Sequence, residues 1–166
     1  MFLPSVLYSF PTNSIPAKSL NKLDSTTTRM FLPKMGFNRN TAKAIVYGPS
    51  KYGGINLRNL AEEQGLAKLE HLVKHWRSKS TEASLHFQIA FEWVQFSSGL
   101  SRPLLEFPHI HTPYIESIWF QDLRQFLNQH NIAISIDKPN IIPLQRKNDS
   151  FFMDHIINSE KFAKHE

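Results

Sequence analysis

Residues 60–79 read LAEEQGLAKLEHLVKHWRSK, and this run decides the fold class. Leu66, Leu69, Leu72, Val73 and Trp76 recur at three- and four-residue steps, which predicts an amphipathic helix from about Leu60 to Lys79. Lys68, Glu70, Lys74 and Arg77 fall on the opposite side, where water is expected. Glu62 and Glu63 stand in the first turn, where the helix dipole favours anions. Gly65 inside the run costs about 1 kcal/mol relative to Ala, so a close neighbour is expected against it.

Upstream, residues 1–16 are punctuated by Pro4, Pro11 and Pro16, which predicts an extended lead-in with a short turn at most. From about Ala17 to Leu32, one apolar stripe of Leu20, Leu23, Thr27, Met30 and Phe31 faces away from Lys18, Lys22 and Arg29, a second helix that Pro33 and Gly36 should end. Residues 36–58 collect turn formers around the short run Ala44–Tyr47, which fits a strand or a helical turn equally and is read as irregular.

Downstream, a helix over roughly Ser80–Ser98 presents Leu85, Ile89, Trp93 and Phe96 as its core face, with Ser80 or Thr81 as N-cap and Gly99 at the C-cap. After Pro103 and Pro108, Thr112 as cap and Pro113 at the first helical position open another, whose buried stripe is Ile115, Trp119, Leu123, Phe126 and Leu127. Ile132–Ile136 reads as a short strand or extended segment. A last helix, about Asp149–Phe162, offers Phe152, Met153, Ile156 and Ile157 to the core behind an Asp149 or Ser150 cap. The expected class is mainly α: about five amphipathic helices, at most two short strands and a Gly/Pro-rich basic connector. Three regions are expected: a basic helical one at 1–98, a connector at 99–111 and a helical one at 112–166.

The chain has 166 residues, no cysteine and no apolar run approaching the roughly 18 residues of a membrane span. Without cysteine there is no disulfide framework, Cys-ligated zinc, iron–sulfur centre or thiol nucleophile. The apolar start Met1–Phe10 carries no Lys or Arg and is broken by Pro4, a poor secretory signal. Charge is uneven. Residues 1–79 hold twelve Lys and Arg against four acids, a formal +8, while residues 80–166 hold seven against ten, −3. Such asymmetry fits one face meeting a polyanion.

Chemistry-bearing constellations are sparse. His71 and His75 share one helix face at i, i+4, and His109 and His111 one side of an extended segment, but two ligands without Cys or an intervening HExxH glutamate do not make a metal site. Asp122, Asp137, Asp149 and Asp154 are isolated, and no Asp-Asp pair occurs. There is no GxSxG elbow, and Gly48-Pro49-Ser50-Lys51 is too short for a phosphate-binding loop. The chain alone is not expected to be a complete catalyst.

The most informative stretch is Leu32–Leu60, LPKMGFNRNTAKAIVYGPSKYGGINLRNL. Lys34, Arg39, Lys43, Lys51 and Arg58 occur there with no acid among them, interleaved with Phe37, Tyr47, Tyr52 and four glycines. Cations supply counterion release, aromatics can stack on bases or sugars, and glycines let backbone N–H groups approach a phosphate. The plainer reading is a structured loop whose glycines make turns and whose aromatics fill the core.

LPKMGFNRN, then AIVYGPSKYGGINLRNL, then the Glu63-Gln64-Gly65 that leads into LEHLVKHWR, resembles the segment downstream of the polymerase palm in retrotransposon-encoded reverse transcriptases, the RNA-directed DNA polymerases. Pro113–Leu127 (PYIESIWFQDLRQFL) and Leu144–Asp154 (LQRKNDSFFMD) are similar to the tail of that region, in the same order. The resemblance implies a mostly helical thumb-like and post-palm region that holds RNA/DNA primer–template by backbone contacts. Gly53 and Gly54 match the family's paired glycines, flanked by Lys51 and Arg58; Asn56 stands where relatives often carry a further Gly.

The palm strand with its Asp-Asp pair and the preceding fingers are not in these residues. No cofactor is therefore expected in this chain, divalent metal belonging to the missing palm, and the expected partners are primer–template and that palm and fingers, with no membrane and no small-molecule substrate. The chain reads as the C-terminal portion of a longer polymerase, a truncated reading frame or a retroelement remnant. The expected nucleic-acid contacts are Lys34, Arg39, Lys43, Lys51 and Arg58 to phosphates, Tyr52 to a base or sugar, and Gly53 and Gly54 as a backbone approach point. The rival is a helical protein–protein interaction module built on Trp76, Trp93 and Trp119; a nonfunctional remnant is the third possibility. Nucleus and cytoplasm both suit such a product, and no compact Lys/Arg run marks nuclear import.

Overall fold

The computed structural model of the chain describes residues 7–78, 82–110, 112, 115–136 and 147–159. The fold is mainly α, with no strand among the described residues. Among the described residues six helices follow in order: α1 (Ala17–Lys34), α2 (Lys43–Tyr47), α3 (Leu60–Arg77), α4 (Glu82–Ser98), α5 (Ile118–Gln129) and α6 (Phe152–Ile157), with a 3-10 turn at Ser50–Tyr52 between α2 and α3. Contacts divide the chain into two compact units, Met1–Glu70 and His71–Glu166. The division falls inside α3, and the described part of the expected connector at 99–111 lies within the second unit.

In the first unit Phe10, Leu20 and Leu60 form the core, with Leu7, Ile15, Ala61 and Ala67 packed against them. The described part of the Pro-rich lead-in makes a turn, with Phe10 N–H on Leu7 C=O and Asn13 N–H on Ser9 C=O; residues 1–6 of that lead-in lie outside the described residues. α1 departs from its expected stripe: Leu20, Asp24 and Leu32 are buried, whereas Leu23, Met30 and Phe31 are exposed. Nor does Pro33 end the helix. It sits in the last turn, and the helix closes at Gly36 (φ 82°), where Phe37 N–H reaches Leu32 C=O at 2.9 Å and Gly36 N–H reaches Pro33 C=O at 3.2 Å. That pair of bonds is a Schellman termination, with glycine at the left-handed position.

Asp24 turns inward because it caps another helix. Its Oδ2 accepts the Leu60 N–H at 2.8 Å, Asn59 Oδ1 accepts the Ala61 and Glu62 N–H groups, and the Asn59 carbonyl accepts that of Glu63. The N–H groups of Leu60, Ala61 and Glu62, which a helix start leaves open, are thus satisfied, and the Glu63 bond is the first of the helix's own ladder. Farther along α3, Lys68, expected in water, is only 1% exposed, while Leu66, expected inside, is exposed. Lys68 Nζ donates to Ser14 Oγ at 2.9 Å and Gln64 Nε2 to the Asn13 carbonyl at 3.0 Å. The Pro-flanked segment 13–16 needs donors, and a lysine stem can be buried while its ammonium is hydrogen-bonded. Gly65 is buried.

The short run 44–47 resolves as helix α2. Past it, Ile55 N–H binds Ile45 C=O at 2.8 Å and Leu57 N–H binds Val46 C=O at 3.0 Å, so the chain turns back onto α2 through the Ser50–Tyr52 turn.

The second unit buries Leu72, Phe91, Val94, Leu100, Leu104, Leu105, Ile115, Phe120, Leu123, Phe126 and Leu127. His71, His75 and Trp76 of α3 join Phe87, Phe91, Trp119 and Phe120 in a run of ring contacts with centroids 4.3–6.2 Å apart. The expected face of α4 is reversed. Leu85, Ile89, Trp93 and Phe96 are 54%, 63%, 64% and 59% exposed, and the buried residues are Ser84, Phe91, Val94, Gln95 and Ser98.

Gln95 explains the reversal. Its amide donates to the Leu100 and Arg102 carbonyls and accepts from Leu104 N–H at 2.9 Å, tying the following loop to this side of the helix. Gly99 ends α4 as expected (φ 64°), and a Cβ there would meet Met153 at 3.0 Å.

α5 begins at Ile118, not at Pro113, which lies outside the described residues. Thr112, the expected cap, instead accepts from Arg124, whose guanidinium also donates to the Leu104, Phe107 and Ile110 carbonyls. Ile115, Leu123, Phe126 and Leu127 are buried as expected, and Trp119 half-buried. Ile132–Ile136 forms neither helix nor strand; Ile134 N–H reaches Leu105 C=O at 2.9 Å. α6 is shorter than expected within the described residues, and Phe152, expected in the core, is exposed.

Candidate nucleic-acid interface

The C-terminal end of α1 and the turn that follows it make a basic hollow. Asn38 folds the turn: its Oδ1 accepts Asn40 N–H at 2.9 Å, and its carbonyl accepts both the N–H and the hydroxyl of Thr41. This brings Arg39 and Asn40 back toward the helix. The resulting hollow, about 800 Å³, is lined by Ser25, Thr26, Arg29, Met30, Pro33, Lys34, Arg39 and Asn40. Its lining holds three cations, two hydroxyls, one amide and no carboxylate. The neighbouring acid, Asp24, lies about 180° round the helix from Pro33 and is engaged with Leu60. The floor of the hollow therefore sees no internal counter-charge from it.

Of the five expected phosphate contacts, the hollow gathers Lys34 and Arg39; Lys43, Lys51 and Arg58 do not line it. Lys43 is the exposed first residue of α2. Lys51 Nζ lies 5.6 Å from the centroid of the Tyr52 ring, which is 80% exposed, so the two form a cation–aromatic pair on the 3-10 turn. Arg58 is paired with Glu63 Oε2 at 3.3 Å. The residue that sequence reading missed is Arg29. The sequence places it with Lys18 and Lys22 on the polar face of the helix, outside the basic stretch Leu32–Leu60; its spacing of three and four from Thr26 and Ser25 already puts those side chains on one face.

Gly53 and Gly54 serve the turn. Gly53 adopts φ 82° with its N–H on Ser50 C=O, and Gly54 N–H binds Pro49 C=O at 3.1 Å. A Cβ on Gly54 would lie 2.0 Å from the Gly48 carbonyl oxygen, and one on Gly48 would lie 2.3 Å from that of Ala44. The glycines thus let backbone approach backbone, and the two amides are spent inside the turn. Asn56 adopts the left-handed conformation (φ 57°), which asparagine tolerates better than most residues.

Two titratable groups share the first unit's interior. Burial raises the Asp24 pKa, the Leu60 N–H partly opposing it. Burial and the Asp24 carboxylate raise that of Tyr47, against a hydrogen bond with Thr28. Neither residue lines the hollow. In the second unit His71 is held below the ordinary imidazole range by burial, then by His75 and Lys74. Its ring lies 4.3 Å from that of His75, whose buried Nδ1 has no hydrogen-bond partner among the described residues. Among the described residues no group of three or more His, Asp or Glu is placed to hold a metal ion. No described helix is long and apolar enough to cross a membrane.

No known protein family, no curated protein and no solved structure matches this chain.

Proposed function

We propose that the chain is a non-catalytic, nucleic-acid-binding region of reverse-transcriptase type that holds primer–template through its sugar–phosphate backbone. One observation supports this above the rest: the hollow beside α1, where Arg29, Lys34 and Arg39 meet Ser25, Thr26 and Asn40 without a carboxylate. Cations beside neutral polar side chains, open to solvent, suit phosphate oxygens and carry no base-reading pattern, although the Ser25 and Thr26 hydroxyls donate to the Lys22 carbonyl. Lys51 with the exposed Tyr52 offers a second contact, of charge plus stacking. The motif order described above is the reason for placing it downstream of a polymerase palm, with that palm and its fingers as partners.

The test is binding to a labelled RNA–DNA hybrid as salt rises. Three phosphate contacts release counterions such that affinity falls about 40-fold between roughly 50 and 200 mM salt. No binding at the lower salt, or an affinity indifferent to it, overturns the proposal. A second reading, a helical protein–protein interaction module, is favoured by the exposed Leu85, Ile89, Trp93 and Phe96 on α4.

A further inference from the structure

The hollow beside α1 is not lined by charge alone. At the helical step of about 100° per residue, Arg29, Pro33, Met30 and Lys34 follow one another across about 140° of arc, so the Pro33 ring and the Met30 side chain lie between two cations. Met30 is 63% exposed. Arg29 and Lys34 are about 7.5 Å apart along the helix axis, and Arg39 and Asn40 come in from the turn that Asn38 folds. The result is an apolar floor with cationic edges.

That order says which part of a nucleic acid fits. A paired strand turns its bases inward and presents phosphate and sugar, which the cations would meet and Met30 and Pro33 would not. An unpaired nucleotide has a free base face between two phosphates, so its alternation of flat apolar surface and charge complements that of the hollow. A thioether packs well against an aromatic ring, and the flexible methionine side chain adapts to any of the bases. The volume agrees. About 800 Å³ lies within the roughly 300–1,000 Å³ of sites that enclose one small ligand, whereas a duplex, whose major groove alone is roughly 12 Å wide, can only lie across the opening.

We propose that the hollow takes an unpaired nucleotide from a single-stranded extension of the primer–template, its base on Met30 and Pro33 and its flanking phosphates on Arg29 and Lys34. This rests on the nucleic-acid reading above and narrows it, from backbone contact in general to the strand beyond the paired region.

The test compares two labelled RNA–DNA hybrids, each bound to the whole chain at low salt. One carries an unpaired extension of about four nucleotides, the shorter end of the site sizes of strand-binding grooves. The other is blunt and longer by as many base pairs, so it has no fewer phosphates. The extended hybrid is expected to bind about tenfold more tightly, and Met30→Ala to bring that ratio down by about threefold or more. Arg29→Ala weakens binding of both hybrids and lowers its salt dependence. Both side chains are exposed, and an unchanged melting curve checks that folding is intact. Equal affinity for the two hybrids, or a ratio that Met30→Ala leaves alone, overturns the proposal, while salt-dependent binding of the blunt hybrid still supports the nucleic-acid reading. Binding of neither hybrid overturns both.

Discussion

The carboxylate of Asp24, in the middle of α1, accepts the Leu60 N–H that opens α3, 2.8 Å away and 36 residues later in the chain. A helix cap is usually local; here Asn59 supplies the local half and Asp24 the tertiary half. The start of α3 is thereby tied to the middle of α1, and the hollow is built on the other side of that same helix.

Asp24→Ala removes the cap and leaves a buried N–H without a partner, for an expected loss of about 1–2 kcal/mol by urea denaturation. The carboxyl pKa is raised in the folded state, so its contribution is fully present below the unfolded value and declines as pH rises through the folded one. Relative to Asp24→Asn, the wild-type urea midpoint should therefore fall as pH rises just above the ordinary carboxylate range.

Gly53 and Gly54 should respond differently to alanine. At Gly53 space is open and only the left-handed φ is strained, at a cost of about 1 kcal/mol. At Gly54 the new methyl meets the Gly48 carbonyl at 2.0 Å, and the turn has to rearrange. Gly54→Ala is expected to lower the thermal midpoint more than Gly53→Ala does.

His71 is held neutral by its apolar surroundings, so acid works against the second unit. Its folded pKa lies below the unfolded one, and the stability it contributes is present above the ordinary imidazole value and lost as pH falls through the folded one. The expected outcome is a urea midpoint that declines between about pH 7 and pH 5. His71→Phe, which retains ring contacts with Phe87 and Trp119, flattens part of that decline.

Charge removal should sort the basic residues. Alanine at Arg29, Lys34 or Arg39 is expected to lower the salt dependence of hybrid binding by about one contact each. Arg58→Ala should change it less, because Arg58 is already paired with Glu63. Equal effects at all four positions would dissolve the distinction between hollow and periphery.

The helices were legible because apolar spacing and glycine stops are local signals: Gly36 and Gly99 end α1 and α4 where the chain reads as ending them. Which side of a helix is buried was less so. On α4 one stripe is apolar and the other carries Ser84, Gln95 and Ser98, and the second wins because Gln95 binds a loop nine residues on. Lys68 is buried for a similar reason, its partner Ser14 standing 54 residues away. For the basic hollow, Lys34 and Arg39 were readable from composition. Arg29 needed the fold, since only the Asn38 turn brings the loop beside that face of α1.

Arg124 meets no carboxylate among its described contacts; its guanidinium is surrounded by main-chain oxygens from Leu104, Phe107 and Ile110. Main-chain oxygens are common to every residue type. The cation itself therefore places no demand on which side chains residues 104–110 carry, whereas a single insertion or deletion there would shift the oxygens off it; Leu104 and Leu105 are held to apolar character separately, by their burial in the core. What Arg124 demands of this loop is its length; what the core demands is its two leucines.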